Sequence, residues 1–228
     1  MNAPLPRPIT LHASGPGGDL ERRLRGAVRG ELLFDRASRG RYSTDASIYQ
    51  VEPVGVLVPA SHEDVRAAFD VCRELRIPML PRGAGSSQCG QTVGRALVVD
   101  HSKSLAGVVA FDKEALTVTV EPGIVLDALN AWLKPHGLWF PVDVSTSAQC
   151  TLGGMAGNNS CGSRSIAFGN MVHNVLAIDA LLADGTEATF GNGAAMHGAP
   201  PRVQTLVERL RAIGERERDE IAAKVPRV

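Results

Sequence analysis

Ten consecutive residues constrain this chain more than any other stretch: Pro81-Arg82-Gly83-Ala84-Gly85-Ser86-Ser87-Gln88-Cys89-Gly90, which combine three glycines, two hydroxyls and one arginine. Glycine turns the backbone through positive φ and leaves no Cβ in the way, so successive N–H groups can converge on an anion. Ser86 and Ser87 add hydroxyl donors. The two familiar nucleotide loops do not fit. A Walker loop ends in Gly-Lys-Ser/Thr, and a Rossmann turn needs Gly-x-Gly-x-x-Gly opening a helix. Here there is no lysine, and the segment runs into the apolar stretch Leu97-Val98-Val99-Asp100, a predicted strand. The pattern therefore predicts a pyrophosphate held by a loop between two strands.

The chain of 228 residues, 44% of them hydrophobic, is long enough to bury a core as one domain or two closely packed subdomains. Lysine plus arginine and aspartate plus glutamate both number 24, so no global basic field exists to attract nucleic acid. The stretch from Met1 to Gly18 lacks the apolar run of a secretory signal, and no segment is apolar enough to be a membrane-spanning helix. These features predict a cytoplasmic protein not integral to a membrane. Cys72, Cys89, Cys150 and Cys161 have no spacing suited to zinc or an iron–sulfur cluster, which predicts reduced thiols and no metal.

Periodicity organises the rest. A loose tail over 1–16 precedes a short charged helix from Asp19 to Val28, and Arg41 to Tyr49 reads as an irregular arm. Val54 to Val58 is a strand. Ser61 is a candidate N-cap, and Val65, Ala68, Phe69, Cys72 and Leu75 recur at helical spacing up to Arg76, with Cys72 in the core. A strand over Pro78–Leu80, a hairpin of Gly107–Phe111 with Leu116–Val120, and a helix marked by Ile124, Leu126, Leu129 and Leu133 follow. A second glycine-rich run, Thr151 to Gly162, carries few side chains large enough for a core, so something must approach its backbone. Strands over Asn174–Leu182 and Glu187–Phe190, joined at Asp184-Gly185, and a helix over Arg202–Val228 complete the chain. This order predicts an α+β protein of two subdomains, with a groove where the two glycine-rich runs face each other.

Four segments resemble the flavoprotein superfamily of vanillyl-alcohol oxidase and p-cresol methylhydroxylase (PCMH), in its branch of D-lactate, glycolate and D-2-hydroxyglutarate dehydrogenases. They are Pro-Arg-Gly-Ala-Gly-Ser-Ser at 81–87, Val-Glu-Pro-Gly at 120–123, Thr-Leu-Gly-Gly-Met-Ala-Gly-Asn-Asn at 151–159 and Asn-Val-Leu-Ala-Ile-Asp-Ala-Leu-Leu-Ala-Asp-Gly at 174–185. The resemblance covers roughly Pro53 to Gly191 and implies a two-subdomain PCMH-type FAD-binding fold. By it, Arg82, Gly83, Ala84, Gly85, Ser86, Ser87 and Gly90 form the pyrophosphate loop. Glu121, Pro122 and Gly123 flank the flavin, and Pro141 and Asp143 belong to a second cofactor segment. Thr151, Gly153, Gly154, Asn158, Ser160 and Gly162 lie along the ribityl chain and pyrophosphate, and Ile178 offers backbone groups to the adenine. Arg82 either meets phosphate or shapes the backbone. The FAD is expected to be non-covalent, because the histidine that some relatives place in the loop is absent.

The resemblance also implies an activity, hydride transfer from the α-carbon of a small 2-hydroxy acid to flavin, which requires a base and a cation for the carboxylate. None of His12, His62, His101, His136, His173 and His197 sits in a recognisable base motif, and no catalytic residue is nominated. His62 and His136 read as solvated surface groups, and His173 as lying near the cofactor. The family's further flavin-contacting segment and its substrate-capping domain are missing, so the chain reads as an amino-terminal part, truncated at its C-terminus. A separate or fused substrate or iron–sulfur part is the implied partner. The expected division is an arm and short helix over 1–50, an FAD-binding part over 51–195 and a helical segment over 196–228. The alternative is a non-catalytic FAD-binding fragment or interaction module.

Overall fold

A computed structural model describes residues 16–191 and 199–226 of the chain. The described residues form two compact units, which meet in sequence at Val172 and His173. All but the last residue of the expected loose tail, His12, His197 and the last two residues of the expected C-terminal helix lie outside the described residues.

The first unit opens with helix α1 (Pro16–Ala27), strand β1 (Glu31–Leu33) and helix α2 (Arg36–Arg41). Strand β2 (Gly55–Val58), helix α3 (His62–Leu75), strand β3 (Met79–Arg82) and strand β4 (Leu97–Asp100) follow. The four strands make one sheet in the order β1-β2-β4-β3. β2 and β3 both run parallel to β4, and β1 is antiparallel to β2. Successive side chains of β2 and β4 point to opposite faces, yet every residue of both strands is buried. One face packs Leu57, Leu97 and Val99 against Leu20 and Leu24 of α1 and Ala68, Val71 and Cys72 of α3.

α3 forms where its apolar spacing and cap place it. The Ser61 hydroxyl accepts from the Asp64 N–H at 3.4 Å, and Arg76 ends the helix in the left-handed conformation, two residues before Pro78. Asp64 does more than favour the helix dipole. Its buried carboxylate accepts the backbone N–H groups of Arg29, Gly30 and Ala60 at 2.9, 2.8 and 2.8 Å, tying the start of β1 to the end of β2.

After β4 come the hairpin β5 (Val108–Asp112) and β6 (Thr117–Val120), helix α4 (Leu126–Leu133) with a 3-10 turn over Lys134–His136, and helix α5 (Leu152–Gly157). Short helices α6 (Ser165–Phe168) and α7 (Met171–Asn174) follow. The α5 helix lies in the second glycine-rich run, for which the sequence predicted no regular element. Thr151 caps it by accepting from the Gly154 N–H at 3.4 Å, and Leu152 and Met155 are buried. α7 ends on Asn174, the first residue of the expected strand, which begins instead at Ala177.

In the second unit, strands β7 (Ala177–Leu181) and β8 (Glu187–Gly191) form an antiparallel hairpin around Asp184 and Gly185, and helices α8 (Pro201–Arg216) and α9 (Arg218–Lys224) follow. The single C-terminal helix expected from periodicity is broken at Glu217.

Candidate functional site: a loop of unpaired amides

The loop leaves the carboxyl end of β3, where open parallel sheets generally place ligands. Arg82 is its last strand residue, and its carbonyl accepts the His101 N–H at 3.0 Å, so the ends of β3 and β4 stay joined as the loop departs. Among the described residues, the backbone N–H groups of Gly83, Ala84, Gly85, Ser86, Ser87 and Gln88 have no protein acceptor, and neither has the Ser86 hydroxyl. None of these six residues is fully buried, so the free amides face space that water or a ligand can enter. The Ser87 hydroxyl donates to the Gln91 side-chain oxygen and accepts from the Cys89 N–H at 3.3 Å, which closes the far side of the loop.

The loop's base meets Thr151, and further segments pack behind that residue. Gly83 lies so close to Thr151 that a Cβ there would overlap the threonine hydroxyl. Gly153 donates its N–H to the Pro122 carbonyl at 2.8 Å, and a Cβ on it would sit 2.6 Å from the Pro122 Cβ. Gly123 donates to the Leu105 carbonyl at 2.7 Å. The segments around 83, 122 and 152 therefore converge, as the two glycine-rich runs were expected to do.

Their contributions differ. The first run presents free donors, whereas the second uses its own internally. Leu152 donates to Ile124, Met155 to Thr151, Asn158 to Gly154, Asn159 to Ala156 and Ser160 to Met155, all through the backbone. Gly162 donates to the Ser165 hydroxyl at 2.9 Å. The glycines of the second run thus permit close packing beside the loop more than they offer a second row of amides.

Side chains around the site are mostly paired. The Arg82 guanidinium donates to the carbonyls of Tyr42 and Thr92, each at 3.3 Å, and of Thr44 at 2.8 Å. Of the two roles open to it in the sequence, shaping the backbone is the one these bonds perform. Asp143 forms an ion pair with Arg164 at 2.9 Å and accepts from the Ser163 hydroxyl at 3.0 Å. The hydrogen bond from Arg164 leads in holding its carboxyl below the usual range. Arg164 also lies 4.8 Å over the ring of Trp139, which meets Phe168 edge-on. Glu121 accepts the Gly107 N–H at 2.7 Å, with His62 Nε2 at 3.5 Å. Pro141 precedes the fully buried Val142. Ile178 sits on β7 in the second unit, in register with Phe190.

Sequence reasoning missed two features. Tyr42, in the arm, donates its hydroxyl to Asp100 at 2.6 Å; burial, then this hydrogen bond, pushes its pKa up. His101 has a buried Nδ1 with no hydrogen-bond partner, and desolvation lowers its pKa against the opposing pull of Asp100. His136 is not simply solvated. It stacks with Phe111 and Trp132, ring centroids 4.7 and 5.1 Å away.

A family model described as "FAD binding domain" matches residues 53–191. The chain belongs to this family. The match spans the same residues as the resemblance read from the sequence, and FAD is the cofactor. The chain of this FAD-binding domain protein is 37% identical to the D-2-hydroxyglutarate dehydrogenase of Pantoea ananatis over 159 residues, covering 68% of this chain and 16% of the relative. It is 36% identical to the "Probable D-lactate dehydrogenase, mitochondrial" of Danio rerio, covering 66% of this chain and 30% of the relative. It is 34% identical to glycolate oxidase subunit GlcD of Bacillus subtilis, with 69% of this chain and 34% of the relative covered. The chain thus spans between 16% and 34% of the length of these relatives. Its fold matches alkyldihydroxyacetonephosphate synthase with a TM-score of 0.68 at 20% identity, covering 78% of this chain and 38% of that one. Physcomitrella patens BBE-like 1 matches with a TM-score of 0.65 at 20% identity, covering 77% of this chain and 38% of that one. The residues of the FAD-binding domain fit a diphosphate in one specific respect: a half-buried loop with six unpaired N–H donors and a free serine hydroxyl suits an anion with many acceptor oxygens.

Proposed function

We propose that this chain is the FAD-holding part of an oxidoreductase acting on D-2-hydroxy acids of the D-lactate or D-2-hydroxyglutarate kind. The row of unpaired amides at 83–88, packed against Thr151, carries the reading. Gly83, Ala84, Gly85, Ser86 and Ser87 donate to the diphosphate, with Gly90 closing the loop. Gly153, Gly154, Asn158, Ser160 and Gly162 flank the cofactor chain, with Thr151 at the loop's base. Glu121, Pro122, Gly123, Pro141 and Asp143 frame the flavin end, and Ile178 the adenine. Bound FAD supplies a two-electron acceptor for hydride from the substrate's α-carbon. Names of the relatives support the substrate class, and the naming of one as a subunit supports a partner that is a separate or fused polypeptide. That partner supplies the base and the carboxylate-binding cation. Four free thiols favour a reducing compartment, hence the cytoplasm.

The small share of each relative that the chain spans favours a second reading, an FAD-binding fragment that does no chemistry by itself. Both are tested together by titrating the purified chain with FAD, following flavin absorption and fluorescence, then adding D-lactate or D-2-hydroxyglutarate without oxygen. Yellow protein that bleaches supports the oxidoreductase. Yellow protein that does not bleach supports the second reading, and folded protein that takes up no FAD overturns both.

A further inference from the structure

We infer that Arg82 is a positioning residue for the diphosphate loop: its guanidinium holds the arm at 42–46 and the far end of the loop together, and does not itself touch phosphate. The inference rests on the FAD-binding reading.

The loop from Gly83 to Gln88 has no internal backbone hydrogen bond, so nothing within it fixes its shape. Ordering such residues costs conformational entropy. A preformed loop therefore needs external ties, and Arg82 gathers them. Its Nη1 donates to the carbonyls of Tyr42 and Thr92, and its Nη2 to Thr44. Its Cζ lies over the Tyr42 ring, 5.3 Å from the centroid. The guanidinium also tucks under Gly85, which has φ of +70° and whose missing Cβ leaves the space it occupies.

Further bonds join the same pieces. Ala46 donates its N–H to the Gly85 carbonyl at 3.0 Å, and Thr92 donates its hydroxyl to Asp45 at 3.0 Å. Asp45 in turn accepts the Ser47 N–H at 2.9 Å, and Tyr42 is anchored to Asp100. A guanidinium that reaches three carbonyls through two nitrogens beside an aromatic ring makes a fork of bonds that a lysine ammonium cannot reproduce. Three of its five N–H donors, both on Nη1 and one on Nη2, are committed to these carbonyls.

The test uses the full chain with Arg82→Gln, Arg82→Lys and Asp45→Ala. Hydrogen–deuterium exchange is measured without FAD, and FAD affinity across a range of salt concentrations. A positioning role predicts faster exchange at Ala46 and Ser47 in Arg82→Gln, FAD binding weakened about 10-fold to 100-fold, and an unaltered dependence on salt. Arg82→Lys restores only part of the affinity. Asp45→Ala is the sharper variant: removing a negative charge near a bound anion strengthens binding by electrostatics alone, whereas loss of the tie to Thr92 weakens it. Tighter FAD binding by Asp45→Ala, unchanged arm exchange in Arg82→Gln, or a flattened salt dependence in that variant would each overturn the inference. If Arg82→Gln does not fold, Asp45→Ala decides alone. Should the unaltered chain bind no FAD, the functional reading fails, while arm exchange in the FAD-free protein still reports whether Arg82 holds the arm.

Discussion

At the scale of single residues, the contact between Gly83 and Thr151 gives the most direct experiment. Gly83→Ala drives a methyl into the Thr151 hydroxyl and is expected to destabilise the protein by about 1–3 kcal/mol and weaken FAD binding. Thr151→Ala loses the α5 cap, at about 1 kcal/mol. Because the second change removes the atom the first collides with, the double variant should be more stable than the sum of the two, measured by urea unfolding. His101 sets a pH dependence. Its folded pKa lies below the ordinary 6.5, so the unfolded chain takes up a proton first as pH falls. Stability therefore declines as pH drops from about 6.5 toward the lower folded value. Urea midpoints at pH 7.5 and 5.5 should differ in the parent chain and differ less in His101→Phe. The carboxylates of Asp45 and Asp143 act in a separate, more acidic window, since their folded pKa values lie below the usual 3.8 and the stability they add is lost only as pH falls through them. For Asp143 the Arg164 bond leads. For Asp45 burial opposes the shift, and the bonds from Ser47 and Thr92 outweigh it. The open loop at 83–88 was legible because glycines and serines after a strand favour irregular backbone over a helix or ladder. The lone Nδ1 of His101 was not, because nothing in a neighbouring sequence predicts the absence of a partner.

Among elements, α5 offers a sign test. Glycine to alanine within a helix ordinarily stabilises by about 0.5–1 kcal/mol. Gly157, with open space around it, should follow that rule when changed to alanine, whereas Gly153→Ala meets Pro122 and should destabilise by about 1–3 kcal/mol, as thermal melts of the two variants would show. The same helix marks the limit of reading elements from pattern. β4 and α3 were legible because three consecutive branched apolar residues and an apolar stripe behind Ser61 admit few other structures. α5 was hidden by its low propensity, with three glycines in six residues, and forms because Thr151 caps it and Gly153 fits Pro122. β1 and α2 were missed for a related reason. Three residues of strand and a six-residue helix of Arg-Ala-Ser-Arg-Gly-Arg carry no periodic signal, although Asp35, accepting from the Ser38 N–H at 2.9 Å, caps the latter. The ties of the 42–46 arm to the loop are long-range, and no local rule points to them.

For the molecule as a whole, ligand linkage is the measurable consequence. A cofactor that binds only the folded chain adds about 2.7 kcal/mol at 100 times its dissociation constant, which should raise the thermal midpoint by roughly 5–10 °C. A midpoint that does not move with FAD concentration would count against the loop as a diphosphate site. The main sheet carries a different consequence at its rim. β3 is its outermost parallel strand, and the bonds from Leu97 to Pro78 and from His101 to Arg82 turn alternate residues toward β4, leaving Met79 and Pro81 directed away. Proline has no N–H, so this border lacks a donor where a foreign strand would dock, and the opposite border, β1, is only three residues long. The sheet that presents the loop is thereby guarded on both flanks against templated aggregation.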